Sequence, residues 1–531
     1  MRTSTKLVPG EIILYDYLMR KILAIVVLSL IWCSASFASR AYQKEISFFN
    51  QWLYDNGYHQ YLNLNPELVS YKATAKNKKD PLTNITRKHM NSKVTAEVNA
   101  MEACKIFYEA QGKEMQEACY IHSNISFDPC KTEPKYSQLW NYNKCDQFRG
   151  TNNLNISFYD RFWIPETNPK PKPNYGTFLF ELYRYLNIHE VNSAVVGKYL
   201  VKRSDDPYIF QSNLIEDKYI DKQLNKSGLL SYLYFENGEI KIDKISPKNR
   251  FGKFINDETK FRSMSVGKTM VSYVVGHAIC EGFIESVDTK VNDWPLVENT
   301  LYHDQKLIDL LNFRAGDQKY VWDYYFINPI QFRNNEGRNI ETLLNAEFKN
   351  SKKSKVKFNY SSFLSNLILN YVVFKTDENF EELLEKIFKE KVKIENEVFF
   401  YKIKGTKTQG NADSMFYATR YDYLRIAKAM LGDWQNDTCV GKYLKTIFDR
   451  KKIKIKATEK KYAFPHAKSY AGNFHTNYNL FSKKRPVMGM HGYGGQHIVI
   501  DFENSRIAVA NSIYENWNYR KIIYERIRKG K

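Results

Sequence analysis

The chain has 531 residues, of which 43% are hydrophobic and 15% aromatic, and this excludes a mostly disordered or fibrous protein. The formal net charge is +21, but the lysines are spread along the chain among Asn, Ile and Tyr, and no arm or helix is basic throughout. We therefore expect no nucleic-acid partner, because such binding needs a clustered basic surface.

The N-terminus carries a targeting signal. An apolar run, Ile22–Trp32, follows Arg20 and Lys21 and precedes small residues at Ser36 and Ala38. These are the parts of a secretory signal peptide cleaved after Ala38, and the run is shorter than the roughly 20 residues of a membrane span. We expect an exported protein in a bacterial periplasm, and an uncleaved inner-membrane anchor through residues 20–38 is the alternative.

Residues 39–165 form a polar N-terminal extension, in which we expect loops and helices near Glu45–Asn56 and Val94–Ala110. Without a C-x-x-C pair, disulfides are favoured over a zinc site for its four cysteines, with the pairing left open: Cys104, Cys119, Cys130 and Cys145. We expect Cys280 and Cys439, which lie in apolar helical contexts, to be buried free thiols.

The main domain, residues 166–531, begins with a proline-rich linker, Glu166–Gly176. Five stretches in this domain have clear local patterns: a hairpin about Asn237-Gly238 in Leu229–Asp243, a short helix with a glycine stop in Lys306–Asp317, helices in Phe358–Phe374 and Thr419–Trp434, and two strands in Gln496–Ile513. The order of strands, helices and strands predicts an α+β fold, with one antiparallel sheet built from both ends of the domain.

The stretch Ser263–Ile284, SMSVGKTMVSYVVGHAICEGFI, permits two interpretations. VGKT resembles the end of a phosphate-binding loop, but Arg262 occupies the position of the required first glycine and no buried strand precedes it. The other interpretation is S-x-x-K, with Ser265 and Lys268 on one side of a helix N-terminus. There a buried lysine with a lowered pKa can take the serine proton, and the positive end of the helix favours the alkoxide.

Two further stretches fit acyl transfer. In FNYSS, Phe358–Ser362, Tyr360 can relay a proton beside a Ser–Lys pair. In MGMHGYGGQHIVID, Met488–Asp501, glycines at the start of a strand let a substrate approach backbone N–H groups.

In this order the motifs over roughly residues 225–520 resemble the serine beta-lactamase-like hydrolases of the class C branch, which includes esterases, DD-peptidases and 6-aminohexanoate-dimer hydrolases. Ser265–Lys268 is similar to the family's S-x-x-K, Tyr360 to the tyrosine of its Y-x-N, and Arg314–Gly316 to its T-S-G. The HGYGGQ form is nearest to the esterase and aminohexanoate-hydrolase members. The resemblance implies a three-layer α/β/α arrangement, an antiparallel sheet flanked by helices, with an inserted, mostly helical subdomain.

The chain departs from the family pattern at two motifs. Ser362 replaces the asparagine of Y-x-N, and alignment on Gly492 puts Met490 and His491 at the lysine and threonine of K-T-G. These changes remove groups that hold a beta-lactam, so we do not expect beta-lactamase activity.

The resemblance implies two-step hydrolysis of an ester or amide. Ser265 attacks the carbonyl, Lys268 and Tyr360 handle the proton, and the backbone N–H groups of Ser265 and Tyr493 bind the oxyanion. Gly492, His491 and Ser362 complete the expected substrate-binding set, with His491 equally open to a structural role. We expect no metal or cofactor. Two alternatives stay open: a cell-wall peptidase of the DD-peptidase or D-aminopeptidase type, and a catalytically silent envelope-binding protein.

Overall fold

The computed structural model describes residues 70–90, 93–108, 112–127, 195–317, 339–354, 358–408, 410–454 and 466–530, with isolated residues between 51 and 186. The chain divides into two compact units, Met1–Phe180 and Glu181–Lys531. The expected signal segment and the linker lie outside the described residues, as do Cys130 and Cys145. Among the described residues, no helix is both long enough and apolar enough to cross a membrane.

The first unit contains a three-stranded antiparallel sheet with the strand order β2-β1-β3. Helix α1 packs on this sheet, and the disulfide Cys104–Cys119 joins the helix to β3. Its described elements are β1 (Ser70–Asn77), β2 (Asp80–Met90), α1 (Lys93–Phe107), α2 (Lys113–Glu117), β3 (Cys119–Phe127), β4 (Phe158–Tyr159) and β5 (Ile164–Pro165).

The helix near Val94–Ala110 is confirmed, but the expectation of loops around it is wrong for the three strands. Strand β1 is SYKATAKN, and its core-facing residues Ala73 and Ala75 are small. Sequence patterning looks for Val, Ile and aromatic residues in strands, so a strand whose buried face is alanine escapes it.

The second unit is built on a nine-stranded sheet with the order β13-β14-β15-β16-β17-β18-β8-β9-β7. All neighbours are antiparallel except β7 and β9. The strands are β7 (Gln211–Ser212), β8 (Leu229–Glu236), β9 (Glu239–Ile245), β13 (Lys452–Ile453), β14 (Ala467–Ala471), β15 (Phe474–Tyr478), β16 (Val487–Gly492), β17 (Gln496–Asp501) and β18 (Arg506–Ser512).

The predicted hairpin is confirmed. The prediction that strands from both ends of the domain join in one sheet is confirmed as well. Asn237 and Gly238 both have positive φ, 51° and 90°, as a two-residue hairpin turn requires. The C-terminal strand β18 pairs with β8, with Arg506 opposite Glu236.

The described helices of this unit are α3 (Lys218–Lys226), α4 (Val266–Cys280), α5 (Leu307–Leu311), α6 (Ile340–Leu343), α7 (Ser362–Thr376), α8 (Phe380–Leu384), α9 (Arg420–Gln435), α10 (Cys439–Asp449) and α11 (Arg526–Lys529). Helix α3 and the C-terminal segment, residues 517–527, cover the face of the sheet that carries Tyr232 and Val499. Helices α4 and α9 contact the same strands, whose alternate residues point to the other side. The helix predicted in Lys306–Asp317 is shorter than expected, because the chain turns at Phe313, whose φ is 54°.

A second, four-stranded sheet has the order β10-β12-β11-β6. Its strands are β6 (Val195–Val201), β10 (Phe261–Arg262), β11 (Val398–Ile403) and β12 (Ala412–Ala418). This sheet was not foreseen from the sequence. It carries the strand that leads into α4.

The expectation of free thiols at Cys280 and Cys439 is wrong, since the two residues form a disulfide. Cys280 ends α4 and Cys439 begins α10, and these helices pack against each other. The two cysteines are 159 residues apart, so local patterning carried no sign that their helix ends meet.

Candidate active site

Ser265 lies at the N-terminus of α4, directly after the short strand β10. The hydroxyl of Ser263 accepts a hydrogen bond from Phe416 N at 2.9 Å, which ties this turn to β12. Met264 has a φ of 49°, a left-handed conformation uncommon for a side chain of this size. The Ser265 side chain makes no capping hydrogen bond, so its Oγ stays available for chemistry.

Lys268 lies one turn further along α4 and reaches two serine hydroxyls. Its Nζ is 3.2 Å from Ser265 Oγ and 2.8 Å from Ser362 Oγ. A hydroxyl can both donate and accept, so Ser362 can pair with either protonation state of the amine. The lysine is therefore held beside Ser265 by a residue from a different helix.

The charge of Lys268 is disfavoured by its surroundings. The side chain is only 6% exposed, and burial lowers its pKa to about 7, an effect that the carboxylate of Asp413 partly opposes. A lysine with such a pKa is neutral in a large fraction of molecules near pH 7 and can act as a base.

Tyr360 lies against the same lysine. The Lys268 Nζ is 5.1 Å from the centroid of the Tyr360 ring. The ring also packs on Phe313, with a centroid separation of 4.9 Å, and on Tyr470 at 6.1 Å. Thus Tyr360 belongs to a buried aromatic group that flanks the Ser265–Lys268 pair.

Helix α7 presents a polar stripe that sequence reasoning missed. Asn366 Oδ1 accepts from Ser414 N at 2.9 Å, and Asn370 exchanges hydrogen bonds with both backbone groups of Ala412. With Ser362 these residues recur every four positions in an otherwise apolar helix, which places them on one face. This four-residue spacing of polar side chains was the sequence signal from which the stripe could have been predicted. The stripe holds Lys268 at one end and β12 at the other.

The glycine-rich motif lies next to the serine turn. A Cβ added at Gly492, at the end of β16, would be 2.7 Å from the carbonyl oxygen of Ser263. Only glycine allows this approach, which brings the Gly492–Tyr493 backbone beside the start of α4. Met490, which the sequence resemblance aligns with the lysine of K-T-G, is fully buried.

His491 takes part in a different set of contacts. Its Nδ1 is 3.2 Å from His466 Nε2, its Nε2 is 2.9 Å from the Tyr478 hydroxyl, and its ring stacks on His475. Alternation along β16 puts it on the same face as Val487, which packs with the C-terminal segment. Burial, with neighbouring cationic groups, lowers the pKa of His491 well below 6.5.

The structure thus brings together Ser265, Lys268, Ser362 and Tyr360, and sets Gly492 and the Tyr493 backbone beside them. His491 is adjacent in sequence but directs its ring into a buried histidine and tyrosine cluster. Among the described residues, no group of three or more His, Cys, Asp or Glu side chains could hold a metal ion.

No protein-family model and no curated protein matches the sequence. Solved structures do show a likeness. A protein described as a 6-aminohexanoate-dimer hydrolase from Bacillus anthracis has 14% identity, covers 66% of this chain and 92% of its own, and gives a TM-score of 0.49. FmtA from Staphylococcus aureus has 17% identity, coverage of 61% and 93%, and a TM-score of 0.40. A penicillin-binding protein from Bacillus halodurans has 13% identity, coverage of 55% and 94%, and a TM-score of 0.40.

Proposed function

We propose that this protein is an exported serine hydrolase that cleaves an ester or amide bond through an acyl-enzyme formed on Ser265. Lys268 takes the proton of the Ser265 hydroxyl, and Tyr360 assists its transfer to the leaving group. The backbone N–H groups of Ser265 and Tyr493 bind the oxyanion that develops on the substrate carbonyl.

The observation that carries the proposal is the placement of Lys268. Its Nζ lies 3.2 Å from Ser265 Oγ, it is buried, and its pKa is lowered to about 7. A serine hydroxyl is a weak nucleophile until an adjacent base removes its proton, and this lysine meets the need in both geometry and pKa.

Export is supported by the disulfides. Cys104–Cys119 and Cys280–Cys439 lie in different units of the chain. Disulfides persist in oxidising compartments and are rare in a reducing cytosol, which agrees with the secretory signal expected before Ala38.

The test is hydrolysis of p-nitrophenyl butyrate by the purified protein, together with labelling by an alkyl fluorophosphonate. We expect turnover, and a covalent adduct whose tryptic peptide contains Ser265. Ser265→Ala should lose both.

The matched control is Ser272→Ala, which makes the same change two turns further along α4, where the hydroxyl contacts Tyr443 at 2.8 Å. It should keep turnover and labelling. Equal turnover in the wild type and Ser265→Ala, or an adduct on another residue, would reject Ser265 as the nucleophile.

A further inference from the structure

A buried carboxylate, Asp317, lies near the candidate site and has no part in the mechanism above. It is fully buried and accepts hydrogen bonds from the Tyr302 hydroxyl and from Asn359 Nδ2, both at 2.9 Å. Within the described part of the chain no Lys, Arg or His forms an ion pair with it. Two neutral side-chain donors and the backbone N–H of Asp317 hold a carboxylate that is shielded from water.

Such an arrangement is costly to a fold. A buried carboxylate without a cation loses hydration that neutral hydrogen bonds only partly replace. Here burial raises the pKa of Asp317 to about 6, against the lowering effect of the two side-chain donors and of its own backbone N–H. An apolar or amide side chain would fill the same space at a lower free-energy cost, so packing alone does not explain the carboxylate.

One donor leads directly to Tyr360. Asn359 precedes Tyr360 in the chain, and its backbone N donates to the carbonyl of Phe313 at 2.9 Å. The Phe313 ring in turn packs on the Tyr360 ring. The segment that presents Tyr360 is therefore tied to residues 313–317 by a backbone bond, a ring contact and the Asn359–Asp317 bond.

We propose that Asp317 is a positioning residue that fixes Tyr360 against Lys268 through its hydrogen bond with Asn359. The inference rests on the proposed function, in which Tyr360 transfers the proton. A carboxylate oxygen can only accept, so it holds the Asn359 amide in one orientation, and a charge-assisted bond is stronger than a neutral one. The backbone that follows Asn359, and that carries Tyr360, then has a single preferred conformation.

The experiment compares variants that remove one or the other of the two side-chain hydrogen bonds to the Asp317 carboxylate. Asp317→Ala and Asn359→Ala break the link to Tyr360, and we expect kcat to fall by about 10- to 100-fold with KM within about twofold, since small displacements of a reacting group cost this much. Tyr302→Phe is the matched control, because it removes the other hydrogen bond to the same carboxylate. It should lower the melting temperature to a similar extent but keep kcat within about twofold of the wild type.

Rescue separates positioning from stability. Asp317→Asn keeps the shape and can still accept from Asn359 but lacks the charge, so we expect its kcat to lie between those of Asp317→Ala and the wild type. Losses of kcat in Asp317→Ala and Tyr302→Phe that follow their melting temperatures would overturn the proposal.

A second readout does not depend on turnover. The ring resonance of Tyr360 in protein labelled with 13C-tyrosine, assigned through Tyr360→Phe, should shift in Asp317→Ala and stay in place in Tyr302→Phe. A resonance that Asp317→Ala leaves unmoved rejects the proposal. If the wild type shows no Ser265-dependent turnover, the proposed function fails, and the resonance still decides whether Asp317 positions Tyr360.

Discussion

Lys268 and Ser362 come from different helices, and the lysine Nζ lies 2.8 Å from the serine Oγ. This hydrogen bond joins the first turn of α4 to the first residue of α7. It gives Lys268 a neutral hydroxyl as its second partner beside Ser265, and among the residues that the structure describes no charged side chain forms a hydrogen bond with its Nζ. Ser362, at the third position of the expected Y-x-N pattern, thus contacts the lysine through its hydroxyl.

The first prediction concerns Ser362. Ser362→Ala should lower kcat/KM toward p-nitrophenyl esters by about 10- to 150-fold, because a hydrogen bond to a group that becomes charged is worth roughly 1.5–3 kcal/mol. Ser362→Asn should retain most of the activity, since an amide oxygen can accept from Nζ. Loss of kcat/KM in Ser362→Asn equal to that in Ser362→Ala would show that the hydroxyl has another task.

The second prediction is a pH profile. The pKa of Lys268 is lowered to about 7, and the neutral amine is the base, so kcat/KM should rise with pH and reach its half-maximal value near pH 7. The Asp413 carboxylate raises the pKa of Lys268. Asp413→Asn should therefore move this midpoint to lower pH. Asp437→Asn, which neutralises an exposed carboxylate, should leave it in place, and an upward shift in Asp413→Asn would contradict the assignment.

The third prediction concerns the disulfide Cys280–Cys439. Replacing both cysteines by serine should reduce the free energy of unfolding by about 2–5 kcal/mol, as for other native disulfides, measured by urea denaturation at pH 7.5. Turnover at 25 °C should persist, because Ser265 lies at the opposite end of α4. The matched double variant at Cys104 and Cys119 should leave the unfolding transition of the second unit unchanged.

The fourth prediction is acid sensitivity of the second unit. Burial lowers the pKa of His466 to about 4 and the pKa values of His475 and His491 well below 6.5. The unfolded chain takes up these protons first as the pH falls below about 6.5, so stability present above that pH should be lost toward pH 4. Asp317 opposes this, since its pKa is raised and its protonation favours the native state.

The measurement for this prediction is the urea midpoint of the wild type and His466→Gln between pH 8 and pH 4. The wild-type midpoint should be flat above pH 7 and fall below pH 6.5, and His466→Gln should fall less steeply. Identical slopes in the two proteins would show that His466 does not contribute.

Local patterns predicted the parts of the site that lie close together in sequence. The spacing of Ser265 and Lys268 put both on one side of α4, and the Asn237-Gly238 turn set the β8–β9 hairpin. The helix containing Ser362 was predicted from an apolar run after a polar turn, and the helix containing Arg420 from the helical spacing of its apolar residues. In each case the partners are within a few residues of each other, where backbone geometry alone fixes their relation.

Relations across the chain could not be obtained in that way. The link from Asn366 to Ser414 spans 48 residues, that from Asp317 to Asn359 spans 42, and the disulfide at Cys280 spans 159. Such pairs depend on how helices and sheets stack, and one sequence contains no direct record of it. His491 illustrates the same limit, because its place in the motif did not reveal which face of β16 it occupies.

The pairing of β18 with β8 also determines when the protein can fold. The strands that carry the glycine-rich motif reach β8 only through β18, whose Arg506 pairs with Glu236, 270 residues earlier. Nearly the whole chain must therefore be synthesised before the central sheet can close. Contacts of such long range slow folding, and the chain remains open while its last strands are being made. This order of assembly is compatible with the export proposed above, in which the chain crosses a membrane before it folds.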